Sequence, residues 1–145
     1  MSCVTRLFFL TGALLVASAT LHAAEAAAPG EIACTSTTTG GDLFDVRCPL
    51  PAIPDAQRYR YEVHFSGGHD DTRASIAPAL DDAPLACDEA RSKLRLFAEE
   101  GDVMLACEFT AGGGGPESAP VLTVRVLWHH CQHERAVLVA LPAAR

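Results

Sequence analysis

The run Tyr59-Arg60-Tyr61-Glu62-Val63-His64-Phe65 alternates aromatic or apolar side chains with charged or polar ones, residue by residue. Successive side chains on an extended chain point to opposite faces, so this run predicts a strand with one face in a core and the other in water. The rhythm returns at Val103, Leu105, Cys107 and Phe109, and again at Leu122, Val124, Val126 and Trp128. A chain organised by three such segments has to fold as paired sheets.

Shorter segments fill in the frame. Ile32 to Thr39 is rich in β-branched residues, Gly40-Gly41 makes a turn, and Phe44, Val46 and Cys48 alternate with Asp45 and Arg47, which predicts a hairpin. Pro49, Pro51 and Pro54 lack the amide hydrogen a ladder needs and predict a crossing loop. Ser66 to Asp71 reads as a polar turn, Thr72 to Ile76 as a returning strand, and Pro78 to Pro84 as a second loop. Between Cys87 and Gly101 a short helix from Asp88 competes with a strand at Lys93 to Phe97, and the acidic Gly-containing turn at Glu99 to Asp102 favours the strand. Glu134 and Arg135 read as turn residues, and Val137 to Leu141 as the last strand. Many short strands joined by polar turns predict an all-β domain, a small antiparallel sandwich with a small barrel as the alternative.

The N-terminus predicts export. Arg6 precedes an apolar run from Leu7 to Val16 and then small residues, the order of a secretory signal peptide. The run is shorter than the roughly 20 residues a membrane span requires. Residues 1–23 are therefore expected to be a cleaved signal, 24–31 a flexible lead-in, and 32–145 a single β domain. The excess of arginine over lysine and the many alanines suit a bacterial periplasmic or secreted protein.

Five cysteines follow the signal: Cys34, Cys48, Cys87, Cys107 and Cys131. In an oxidising compartment they should pair, with one left over, and fifteen connectivities are possible. Cys34 with Cys48 and Cys87 with Cys107 are favoured, because each pair brackets a short segment with turn chemistry. Loops of this size are worth roughly 3 kcal/mol each. Cys131 is then the free thiol, which leaves a monomer or a dimer bridged through that residue.

Eleven basic against eighteen acidic residues give a net charge of −7. Such a balance repels phosphate backbones and anionic lipid, which argues against nucleic-acid and membrane partners and is compatible with a basic one. Two constellations could carry chemistry. Trp128-His129-His130-Cys131-Gln132-His133 would place His129, Cys131 and His133 on one face of a continuing strand, a ligand set for zinc or copper with His64 as a fourth; if 129–133 is instead a hairpin loop, that parity is lost. His69, Asp70 and Asp71 with Asp81 and Asp82 occupy two loops flanking one strand, and could bind calcium, a ligand, or act as an acid and base pair. No Ser sits in a G-x-S-x-G elbow. The resulting expectation is a non-enzymatic exported binding module, of inhibitor, immunity or accessory type and without a cofactor, whose loops meet a protein or a glycan. The alternative is a periplasmic zinc- or copper-binding protein.

Overall fold

The computed structural model describes residues 30–113 and 119–142. The expected signal peptide and most of the lead-in lie outside these residues. Ten strands run in chain order: β1 (Glu31–Ile32), β2 (Thr35–Gly40), β3 (Leu43–Pro49), β4 (Gln57–Gly68), β5 (Arg73–Leu80), β6 (Ala83–Pro84), β7 (Arg95–Phe97), β8 (Gly101–Ala111), β9 (Val121–His129) and β10 (Gln132–Ala140). They form two antiparallel sheets. One has the order β1-β10-β4-β8, and the other β2-β3-β9-β5-β6 with β7 also paired to β5. The arrangement is a sandwich.

The alternation read from the sequence is what closes the two sheets on each other. Tyr59, Tyr61, Val63 and Phe65 of β4 and Val103, Leu105, Cys107 and Phe109 of β8 point inward from the first sheet. Phe44, Val46 and Cys48, Ala74 and Ile76, and Leu122, Val124 and Val126 meet them from the second. Each large apolar side chain removed from water in this way stabilises the fold by about 1.5–3 kcal/mol.

Both favoured disulfides are present, Cys34–Cys48 and Cys87–Cys107, and Cys131 is free. The first sits where the chain changes sheets. Residues 32–39, expected as one strand, divide at Ala33 and Cys34: β1 pairs with β10 in one sheet, and β2 with β3 in the other. Glu31, assigned to the lead-in, therefore already belongs to the fold. The second disulfide ties residues 87–93 along β8, where Asp88 N donates to Glu108 O and Lys93 exchanges backbone bonds with Ala106. This segment shields the outer edge of β8, an edge otherwise open to pairing with another chain.

Two expectations about breaks in the strands are corrected. Pro78 does not end β5, which continues to Leu80. Ile76 N points away from β9, toward Leu94 O, and by the two-residue repeat the missing amide hydrogen of Pro78 falls on that same side, so the ladder to β9 loses nothing. The turn after it is tight, with Asp81 and Asp82 at φ 48° and 66°. Glu134 and Arg135 likewise do not form a turn. They lie inside β10 at a bulge, because His133 pairs with Phe65 while Arg135 pairs with the next residue, His64.

Candidate functional site

The reversal between β9 and β10 occurs at His130-Cys131, so residues 129–133 form a hairpin and the one-face parity proposed for His129, Cys131 and His133 does not exist. His129 is on the outer side, with Nδ1 3.5 Å from Asp42, and stacks on His130 at a centroid distance of 3.8 Å. His130 in turn pairs with Asp71 at 2.5 Å. His133 points the other way. The bulge at Glu134 turns it inward with Phe65, and its ring lies 4.5 Å from that of Phe44 and 5.9 Å from that of Trp128. Desolvation there holds His133 below the ordinary imidazole pKa, and partial burial pushes the Cys131 thiol up, away from the thiolate a metal needs. His64, the proposed fourth ligand, is on the outer face of β4 with Nε2 3.2 Å from Glu62. Among the described residues no three His, Cys, Asp or Glu side chains gather where a metal ion could be held.

The second constellation separates as well. His69, Asp70 and Asp71 precede β5, Asp81 and Asp82 follow it, and eight extended residues span on the order of 25 Å. That exceeds any separation at which two carboxylates share one glycosidic bond. Each group has local work. Asp71 holds His130, and Asp81 Oδ1 accepts from Val121 N at 2.9 Å. Thr72 joins the first loop to the β9–β10 hairpin: its buried Oγ1 accepts from His69 N at 2.6 Å and donates to His130 O at 2.7 Å.

The outer face of the β1-β10-β4-β8 sheet brings together residues that sequence reading had left apart. Arg58, Arg60, Glu62 and His64 alternate outward along β4, and Glu108 stands opposite Arg60 on β8. Glu108, only 5 % exposed, binds Arg58 through Oε1 and lies 3.7 Å from Arg60 through Oε2. Arg60 also reaches Glu62 at 2.5 Å. Burial works against the charged form of Glu62, but hydrogen bonds from Arg60 and His64 outweigh it and keep its carboxyl below the usual range. The ladder is thus neutralised internally.

Beyond its His64 end lies an open depression of about 470 Å³, lined by His64, Phe65, Ser66, Asp102, Val103, Met104 and Glu134. Two carboxylates border it, Met104 (37 % exposed) supplies an apolar surface, and no arginine or lysine lines it. The bulge again decides the geometry, since Glu134 is the residue it inserts. Ser66 Oγ bonds the Glu134 carboxylate rather than an imidazole, and His64 is turned to Glu62. A nucleophilic serine needs the opposite arrangement, with its hydroxyl on a histidine base. Asp102, Met104 and Glu134 were missed in the sequence because no local motif joins them; a run of outward residues on paired strands was the available signal.

No family model matches the chain, and no characterised protein matches it in sequence. Solved structures of similar outline include a family 35 carbohydrate binding module from an environmental isolate, at 11 % identity over 79 % of this chain and 88 % of that one, with a TM-score of 0.38. The C-terminal CBM6 of LamC, a marine laminarinase from Zobellia galactanivorans, shares 10 % identity over 74 % of this chain and 87 % of its own, at 0.32. The PA14 domain of the antifreeze protein MpAFP shares 13 % over 79 % and 64 %, at 0.36. Similarity this loose carries over no ligand and no site residue.

Proposed function

We propose that this chain is an exported, non-enzymatic binding module that receives a protein or glycan ligand at the depression on the β4, β8 and β10 face. The observation that carries the reading is the composition of that depression: Asp102 and Glu134 as carboxylates in its lining, His64 and Ser66 as hydrogen-bonding groups, and Met104 as exposed apolar surface. Concave sites with a few convergent polar groups over apolar surface are where ligands bind. Two carboxylates without a lining cation select a ligand that brings donors or positive charge, such as an amino sugar or a lysine-bearing loop. Two disulfides suit an oxidising compartment, where such a module would work.

The test uses chitosan oligosaccharide, neutral chitin oligosaccharide and a lysine-rich peptide as probes. Titration followed by amide chemical shifts is expected to move Ser66, Met104 and Glu134 with at least one cationic probe, and the double variant Asp102→Asn, Glu134→Gln is expected to weaken that binding about tenfold or more. Shifts centred elsewhere, or affinity unchanged in the double variant, would refute the site.

A further inference from the structure

The other broad face of the sandwich carries an excess of cations, although the chain as a whole is acidic. Register places the outward side chains of the second sheet in rows. Phe97, Arg73 and His129 form one row, and Arg95, Ser75, Leu127 and Leu43 the next. Asp45 pairs with Arg125 in a third, and Arg47 follows on β3. Four arginines from four strands thus share one face with a single strand carboxylate, Asp45, and Asp42 in the adjoining turn. Arg125 is engaged by both Asp45 oxygens, at 2.9 and 3.1 Å. Among the described residues no carboxylate stands within ion-pair distance of Arg47, Arg73 or Arg95, while Arg58 and Arg60 of the opposite face are held by Glu62 and Glu108.

Apolar surface lies among these cations. Phe97 is 64 % and Leu127 46 % exposed. A shallow depression of about 350 Å³ is lined by Asp42, Leu43, Arg73, Leu127, Trp128 and His129. Three guanidiniums without a carboxylate partner among the described residues thus lie on the same face as an exposed phenyl ring and a hollow walled by Leu43 and Leu127. Arginine and aromatic side chains around a small apolar centre make up the energetic core of protein interfaces.

We propose that the outer face of the β2-β3-β9-β5-β6 sheet is a docking surface for an acidic protein partner, which places an apolar side chain in the Leu43, Leu127 and Trp128 hollow and carboxylates on Arg73 and Arg95. Guanidinium forks match carboxylates two hydrogen bonds at a time, and Phe97 lies beside Arg73 to cover the contact. A polyanionic sugar satisfies the charges but leaves the hollow without an occupant. This surface is on the opposite side of the sandwich from the depression proposed for the ligand, so the two proposals stand or fall separately.

The experiment titrates the whole protein with a short glutamate-rich peptide bearing a central Leu-Phe pair, the same peptide with Ala-Ala at the centre, and polygalacturonate. The expected result is saturable binding of the Leu-Phe peptide, with amide shifts at Arg73, Arg95, Phe97 and Leu127. Arg73→Glu, Arg95→Glu is expected to weaken it at least about tenfold, and Phe97→Ala several-fold with the salt dependence unchanged. Retained unfolding midpoints show that these exposed substitutions leave the fold intact. Equal affinity for all three probes would reduce the face to a non-selective polyanion surface and overturn the proposal. Concentration-dependent self-association in sedimentation that the same charge reversal abolishes would make a second copy the occupant, and would overturn it too.

Discussion

Replacing Thr72 by valine probes the joint between the two turns at one end of the sandwich. The side chain is fully buried, and valine keeps its shape while deleting the hydroxyl. Two hydrogen bonds are lost, one from His69 N and one to His130 O. Each is worth about 1 kcal/mol net. His69 and His130 are exposed residues, so water can serve the abandoned N–H and C=O, and the full desolvation penalty of two orphaned groups does not add. The expected loss is therefore about 2 kcal/mol, or about 8 °C in Tm for a domain of this size. Urea unfolding with the disulfides intact is the assay: the midpoint should fall with the slope unchanged. Thr72→Ser retains both bonds and sacrifices one methyl group, a cost of about 1 kcal/mol. The reasoning is refuted if Thr72→Val costs less than about 0.5 kcal/mol, or if serine is as damaging as valine.

Two further outcomes follow from buried polar atoms. His133 Nε2 is buried with no hydrogen-bond partner among the described residues, and desolvation holds its pKa below that of an ordinary imidazole, with Glu134 opposing. The unfolded chain then takes up the proton first, so stability is complete above about pH 6.5 and is lost as pH falls toward the lowered folded value. His133→Phe is expected to remove this component, and urea midpoints of the two proteins should diverge on acidification; a constant difference would exclude His133 as the source. Tyr61 is wholly buried, its hydroxyl has no partner among the described residues, and burial raises its pKa. Tyr61→Phe should leave thermal unfolding unchanged or raise stability by up to about 1 kcal/mol, whereas a comparable loss would reveal a partner for the hydroxyl.

What the sequence determined by itself was local. Alternation at Tyr59 to Phe65, Val103 to Phe109 and Leu122 to Trp128 named the inward side chains, because on a strand facing a core the side of each residue follows from its neighbours. The cysteine pairing was legible for the same reason, each bridge closing a nearby segment. Tertiary structure decided what depends on pairing between distant strands. One inserted residue, Glu134, reverses the side to which His133 points, and that reversal both dismantles the supposed metal face and supplies a carboxylate to the lining of the depression. The eight-residue course of β5 parts Asp70 and Asp71 from Asp81 and Asp82. Net charge suggested a basic partner for the whole molecule, yet Arg47, Arg73, Arg95 and Arg125 lie far apart in the chain and meet only where register aligns β3, β5, β7 and β9. Hydrophobic period is a property of adjacent residues, whereas register, bulges and the segregation of charge between faces arise from contacts that no local pattern encodes.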